Sequence, residues 1–181
     1  MQSLDLFPTT IWATKVELDN NKLEEDIRKF SSVTESVQVS NVGGYQGHQY
    51  ENKELVDIIE KNVPAVEGKS FPNGLVTHTW ANINPKGSYN TRHSHVDTQV
   101  LLSGTYYVKT PENSGRIRFY DPRGHLIPYM PDYEYYYHGH SVNYIQPEEG
   151  MVLYFPPWLD HDVEDNESEE DRISVSFNIL W

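Results

Sequence analysis

The sequence contains no cysteine in 181 residues. This absence excludes disulfide bonds, thiolate catalysis and iron–sulfur clusters, and it leaves only nitrogen and oxygen donors for a metal. No apolar run approaches about 18 residues, and no charged segment followed by an apolar one opens the chain, so we expect neither a membrane span nor a secretory signal. The expected location is therefore the cytoplasm.

Basic residues are scarce as well. Lys and Arg number 14 against 27 Asp and Glu, which gives a formal charge of −13. A field of this sign opposes nucleic-acid binding, because that binding depends on neutralisation of phosphates by Lys and Arg. An anionic small molecule would need local positive charge in such a protein, so individual arginines become informative.

Helical patterns are confined to the first third of the chain. The length suits one domain, and apolar residues recur at helical spacing over 21–31 and 51–62. Asn21 and Glu24 resemble a capping box at the start of the first helix. From about residue 75 short strand patterns follow one another without intervening helices, which favours a mainly β barrel or jelly roll. We expect a single domain over 1–181, with a helical support segment (1–70) and a β core (75–181).

The last strand pattern, 172–181, points to a lined cavity. One face carries Ile173, Val175, Phe177, Ile179 and Trp181, and the other carries Arg172, Ser174, Ser176, Asn178 and Leu180. The first set predicts a packed core. The second set faces either water or a polar interior, and an arginine so close in sequence to His161 favours the interior.

Candidate metal ligands lie in two distant stretches. In His95-Val96-Asp97 two donors stand at i and i+2, so on a strand end both can reach one ion. His161 would supply the third ligand. Two imidazoles and a carboxylate are the ligand set of nonhaem Fe(II) oxygenases, which leaves three coordination positions open. The alternative is a hydrogen-bonded His–Asp pair at a strand end and an ordinary loop histidine.

Arg172 and Ser174 are candidates for binding an anionic co-substrate. They share a strand face, so a bidentate guanidinium and a hydroxyl can hold one carboxylate. Asn82 and Tyr107 lie where inward-facing polar groups could assist. The alternative for Arg172 is an ion pair with Glu170 or Asp171.

The pattern formed by His95-Val96-Asp97, His161 and Arg172-Ile173-Ser174 resembles the His-x-Asp…His…Arg-x-Ser pattern of 2-oxoglutarate/Fe(II)-dependent oxygenases. More narrowly, the chain is similar to oxygenases of marine bacteria and phages. The similarity is carried by segments that include Ser40–Gln46, Trp80–Asn82, Ser103–Tyr107 and Phe155–His161. The resemblance implies a double-stranded β-helix with supporting N-terminal helices, and Fe(II), 2-oxoglutarate and O₂ as cofactor and co-substrates. If the protein is phage-encoded, its location would be the host cytoplasm.

The ligand set has an alternative within this resemblance. Members of the family carry a His-x-His pattern more regularly than an Asp two residues later, so His93 and His95 could replace His95 and Asp97. We favour His95, Asp97 and His161 as catalytic metal ligands, because a carboxylate suits a hard iron site.

The predicted activity is that of a dioxygenase that hydroxylates a small molecule or a protein side chain and releases succinate and CO₂. The rival interpretation is a cupin-like protein that binds a metal or small ligand without turnover. That rival shares the barrel and the histidines but does not explain Arg172 and Ser174. We expect no nucleic-acid or membrane partner, and homo-oligomerisation is left open.

Overall fold

A computed structural model describes residues 7–65, 76–96, 99–123 and 142–180. The helices are α1 (Asn20–Val33) and α2 (Lys53–Lys61). The strands are β1 (Trp12–Lys15), β2 (Asn41–Val42), β3 (Tyr45–His48), β4 (Val76–Asn84), β5 (Tyr89–His93), β6 (Val100–Lys109), β7 (Ile117–Tyr120), β8 (Val142–Ile145), β9 (Met151–Phe155), β10 (His161–Val163) and β11 (Arg172–Leu180).

The strands form two antiparallel sheets in a jelly roll. The larger sheet has the order β1-β9-β6-β11-β4-β3, and the smaller has the order β2-β5-β10-β7-β8. Most neighbours in each sheet are far apart in sequence, because the chain crosses repeatedly from one sheet to the other. This confirms the expected mainly β, double-stranded β-helix core.

Both helices lie against the larger sheet. Leu23 and Ile27 of α1 and Leu55 and Ile59 of α2 are buried in one cluster with the apolar residues of β11. Burial of each such side chain stabilises the fold by about 1.5–3 kcal/mol. No helix in the described part of the chain is long and apolar enough to cross a membrane.

The start of α1 differs from the sequence expectation. The cap is Asp19, whose carboxylate accepts a hydrogen bond from the Lys22 amide at 3.1 Å. Asn21 lies inside the helix, so the capping box expected from Asn21 and Glu24 is wrong. Asp19 is two residues earlier and, like asparagine, is a favoured capping residue.

The predicted alternation in β11 is confirmed. Ile173, Val175, Phe177 and Ile179 are fully buried in the cluster under the helices. The opposite face of the strand turns toward the smaller sheet and lines a cavity. Gly104 of β6 permits this packing, since a Cβ there would lie 2.2 Å from the Phe177 ring. The chain therefore uses one face of a central strand for stability and the other for a site.

Candidate metal and co-substrate site

A cavity of about 350 Å³ lies between the two sheets. Its walls come from β4, β5, β6 and β11, with β9 and β10 at one side and residues 39–46 at another. Polar and aromatic side chains dominate the lining, which includes Gln46, Trp80, Asn82, Asn84, His93, His95, Tyr107, Phe155, His161, Arg172, Ser174, Ser176 and Asn178. The cavity has two chemically distinct ends, one with imidazoles and one with a guanidinium.

Three histidines converge at the first end. Ligand atoms of His93, His95 and His161 all lie within 4.8 Å of one another. His93 is the last residue of β5 and His161 is the first of β10, and the two are directly paired across the ladder. His95 follows β5, and its backbone amide donates to the Pro157 carbonyl at 2.7 Å. Strand register and one loop contact thus bring together residues from distant parts of the sequence.

Two of these rings are held in the tautomer that leaves Nε2 free to bind a metal. His93 Nδ1 contacts the Thr91 carbonyl at 2.7 Å, and His161 Nδ1 contacts the Leu159 carbonyl at 2.9 Å. A carbonyl oxygen only accepts, so Nδ1 carries the proton in both rings. Each Nε2 therefore keeps its lone pair for an ion, and the Nδ1 bond fixes the ring orientation.

Burial keeps the imidazoles uncharged. It lowers the pKa of His161 to about 3 and that of His95 to about 4, with the nearby His93 adding to both shifts. Burial also lowers the pKa of His93. Neutral imidazole is the form that binds a metal, so no proton has to be displaced at neutral pH.

The sequence hypothesis named His95, Asp97 and His161 as ligands. The structure brings His95 and His161 together and adds His93 to them. Asp97 lies outside the described residues, so its role stays a prediction.

Arg172 occupies the other end of the cavity. It is 2% exposed, yet its hydrogen-bond acceptors among the described residues are two backbone carbonyls: Nη1 donates to that of Ser114 and, at 3.2 Å, to that of Glu164. Its Nη2 has no hydrogen-bond partner among the described residues. Burial lowers the pKa of this guanidinium, and the longer-range effects of Tyr107 and Asp165 oppose that shift only in part.

The alternative partners expected for Arg172 are engaged elsewhere. Asp171 pairs with Arg28 at 2.8 Å, and Glu170 pairs with Lys109 at 2.9 Å. The ion pair that would have made Arg172 a structural residue is therefore not formed. A buried cation without a counter-ion is costly unless a ligand supplies one.

The other predicted binding residues also line the cavity. Ser174 is directly opposite Asn82 on β4 and Tyr107 on β6. The Asn82 amide donates to Ser176 Oγ at 3.0 Å. Burial raises the pKa of Tyr107, and the charge of Arg172 acts on the same hydroxyl in the opposite direction. All three thus line the cavity together with Arg172.

Sequence reasoning missed Asn84. It is 2% exposed, lies opposite Arg172 in the β4–β11 ladder, and lines the cavity. Its Nδ2 is a second buried donor without a partner among the described residues. The alternation Trp80, Asn82, Asn84 along β4 could have revealed it, because the three positions share one strand face.

A sequence model of the family described as "Putative 2OG-Fe(II) oxygenase" matches residues 78–178. The match spans β4 to β11, and includes the three histidines and Arg172. A search of curated proteins found no match.

Solved structures share the fold. A prolyl-4-hydroxylase from Pseudomonas putida is 13% identical, with a TM-score of 0.68, over 95% of this chain and 92% of that one. HygX from Streptomyces hygroscopicus, solved with nickel and 2-oxoglutarate, is 10% identical, with a TM-score of 0.62, over 95% and 83%. A prolyl hydroxylase from Trichoplax adhaerens, solved with a peptide fragment of hypoxia inducible factor, is 13% identical, with a TM-score of 0.64, over 94% and 83%.

The family match covers more than half of the chain, and the fold and the histidine cluster agree with it. The expected Fe(II) and 2-oxoglutarate are confirmed as the cofactor and co-substrate of this family. The chain belongs to the 2OG-Fe(II) oxygenases and is an oxidoreductase of that family.

Proposed function

We propose that this protein is an Fe(II)- and 2-oxoglutarate-dependent dioxygenase that hydroxylates its substrate. The observation that carries the proposal is the buried guanidinium of Arg172. It has no carboxylate partner among the described residues, and it shares a cavity with three converging neutral imidazoles. A metal site and a cation without a direct ion pair in one cavity fit a co-substrate that has a chelating end and an anionic end.

His93, His95 and His161 are the proposed ligands of the iron. Their ligand atoms already lie within 4.8 Å of one another, and two rings have their Nδ1 protons held by carbonyls. Imidazole suits iron, and three ligands leave further coordination positions open. Asp97 is the alternative third ligand, and a pair of variants separates the two.

The far carboxylate of 2-oxoglutarate is proposed to bind at the opposite end. Arg172 would supply a charge-assisted bond from Nη2, Asn84 a second bond from Nδ2, and Ser174 a third from its hydroxyl. Each of the two nitrogens is a buried donor for which the described residues offer no partner, and a carboxylate accepts several hydrogen bonds at once. Asn82 and Tyr107 lie between the two ends and would flank the co-substrate.

When bound, Fe(II) supplies the oxidising chemistry with O₂ and 2-oxoglutarate, and succinate and CO₂ are the co-products. The chain contributes ligation, orientation and exclusion of water. Phe155 and Phe119 contact the His161 ring, with centroids 4.7 and 6.0 Å away, and shield it from solvent. The whole chain is proposed to act as one oxygenase domain, because β1 and β3 complete the larger sheet.

The substrate is proposed to be a small molecule or a protein side chain, and the compartment the cytoplasm. The relatives with the same fold include proteins solved with a peptide fragment and with 2-oxoglutarate.

Anaerobic titration with Fe(II) and then 2-oxoglutarate tests the function. We expect a visible metal-to-ligand charge-transfer band that saturates at one co-substrate per protein. On admission of O₂, slow formation of succinate should follow even without substrate. Absence of the band would contradict the proposal, and a band without succinate would favour the binding protein over the enzyme.

The metal ligands are tested with two alanine variants. His93→Ala should abolish Fe(II) binding, because it removes one of three converging nitrogens. Asp97→Ala should retain it. The reverse pattern would assign the carboxylate to the metal and leave His93 beside it.

A further inference from the structure

His95 differs from the other two histidines in how it is supported. His93 and His161 belong to paired strands, and each donates Nδ1 to a carbonyl two residues earlier in its own chain segment. His95 lies beyond the end of β5, and in the described part of the chain its ring has no such bond to a nearby carbonyl. Its ring orientation must therefore come from residues elsewhere in the fold.

Asn178 of β11 provides that support. Its side chain lines the cavity together with the His95 imidazole, and hydrogen bonding by Asn178 acts to raise the pKa of that ring against the larger lowering by burial. The Asn178 Oδ1 atom also accepts a bond from Ser103 Oγ at 2.7 Å, and Ser103 is its direct neighbour on β6. An oxygen fixed in this way can accept a ring proton of His95, which would leave the other ring nitrogen with a lone pair.

Two stacked rings set the plane of His95. Trp80 of β4 stacks on it with centroids 5.7 Å apart and planes inclined by 23°. The His161 ring stacks on it at 5.2 Å and 16°. Together with Asn178 these contacts fix the tilt and the rotation of the ring, which a backbone bond to Pro157 alone would not do.

We propose that Asn178, held by Ser103, is the positioning residue of the His95 ligand. It acts through His95 and is not a binding residue for the co-substrate. The inference deepens the proposed function and rests on it. Hydrogen-bond partners of metal-bound histidines fix the tautomer and raise the basicity of the ligand, and their loss costs about 10–100-fold in metal affinity.

The ladder alone does not require these side chains. Cross-strand pairing of β6 with β11 uses backbone atoms, and Ser103 is fully buried on the cavity side of the sheet. A purely structural role would be met by any pair that fills the same volume. The proposal instead requires an oxygen acceptor at residue 178, so acceptor and non-acceptor replacements separate the two roles.

The test uses the full chain without 2-oxoglutarate, with Mn(II) binding followed by electron paramagnetic resonance and Co(II) binding by visible absorption. Asn178→Leu should weaken Mn(II) binding by about 10–100-fold. Asn178→Asp should bind at least as tightly as the natural protein and should shift the Co(II) bands, because a carboxylate is a stronger acceptor. Ser103→Ala should weaken binding by about threefold, since it removes one neutral hydrogen bond from the acceptor.

The matched control is Asn90→Leu. Asn90 also lines the cavity, but its amide donates to Ser40 Oγ at 3.2 Å and not to an imidazole. The same substitution there should leave Mn(II) affinity within about twofold, well below the loss from a metal-bound histidine's partner. Circular dichroism confirms folding of each variant, and Asn178→Asp decides the matter if the leucine variant does not fold.

Three outcomes overturn the proposal and remain distinguishable. Unchanged affinity in Asn178→Leu removes the positioning role. Asn178→Asp binding as weakly as the leucine variant assigns residue 178 a packing role. Unchanged binding in His95→Ala removes His95 from the ligands while the oxygenase function stands. Failure of the natural protein to bind any of these metals would instead contradict the proposed function itself.

Discussion

Two arginines of this protein have opposite surroundings. Arg118 on β7 binds Asp162 with two bonds, of 2.6 and 2.7 Å, and Tyr120 donates to the same carboxylate at 2.6 Å. Arg172 is more deeply buried, and no carboxylate of the described residues forms a direct ion pair with it, although Asp165 favours its charge at longer range. The charge of Arg118 is paired by a carboxylate of the same chain, so we assign this arginine a stabilising role. The second arginine lacks a direct charge partner among the described residues, which supports the proposed binding of a carboxylate there.

Replacing each arginine in turn tests most directly whether the two have different roles. Arg172→Leu should weaken 2-oxoglutarate binding by about 2–5 kcal/mol, the cost of losing one partner of a buried charge pair. It should leave thermal stability unchanged or higher, because the uncompensated charge is gone. Calorimetric titration of the iron-loaded protein under nitrogen measures the affinity.

Arg118→Leu is the control for that experiment. It should lower the free energy of unfolding by about 1–2 kcal/mol, because Asp162 keeps only the Tyr120 bond. The affinity for 2-oxoglutarate should stay within measurement error. Equal effects of the two variants on 2-oxoglutarate binding would show that the comparison is wrong.

A second variant gives Arg172 a carboxylate partner, as Arg118 already has in Asp162. Asn84→Asp places a carboxylate opposite Arg172 in the ladder. We expect the pair to compete with the co-substrate and to weaken its binding by about 1–3 kcal/mol, the range for bonds to charged groups. Thermal unfolding should occur at a higher temperature than in the natural protein. An Asn84→Asp protein that binds 2-oxoglutarate normally would remove Asn84 from the carboxylate site.

Acid should destabilise the imidazole end of the cavity, because its buried histidines resist protonation. In the metal-free protein the pKa of His161 is about 3 and that of His95 about 4, against 6.5 for ordinary histidine. Below about pH 6.5 these histidines bind protons in the unfolded chain but stay neutral in the folded chain. The free energy of unfolding therefore falls as the pH falls. We expect the urea midpoint to fall between pH 6.5 and 4, and His161→Gln to flatten that decline. A midpoint independent of the variant over this range would contradict the shift.

The smallest effect is expected at Ser174. Ser174→Ala should weaken 2-oxoglutarate binding by about 0.5–1.5 kcal/mol, the net worth of one hydrogen bond. Ser168→Ala is a suitable control, because Ser168 lies outside the cavity. The ranking Arg172, Asn84, Ser174 orders the proposed donors by charge and burial, and a larger loss at Ser174 than at Arg172 would reverse it.

Local patterns predicted much of the fold and of one cavity wall. The period-two alternation of β11 separated Phe177 from Arg172 and Ser174 without knowledge of any partner strand, because side-chain direction in a strand is a local property. The lengths and order of the apolar segments excluded a parallel sheet. Both helices were found from their apolar spacing, although the cap at Asp19 was not.

Non-local contacts could not be predicted in the same way. Pairing of His93 with His161 depends on the register between β5 and β10, which a sequence pattern does not encode. The same holds for the carbonyls of Ser114 and Glu164 that hold Arg172, since backbone atoms carry no sequence signal. Which alternate residue of His93, His95 and Asp97 faces the cavity is likewise decided by neighbours distant in the sequence.

The direct pairing of His93 with His161 has a consequence for assembly. Any ion shared by these two residues is a cross-link between the middle of the chain and its last third. It forms only after β10 has docked beside β5, so metal uptake would report completion of the smaller sheet. Such an ion binds the folded chain and not the unfolded one, and it raises stability in proportion to the logarithm of its concentration. Iron supply would then set how long the protein survives as well as how fast it works.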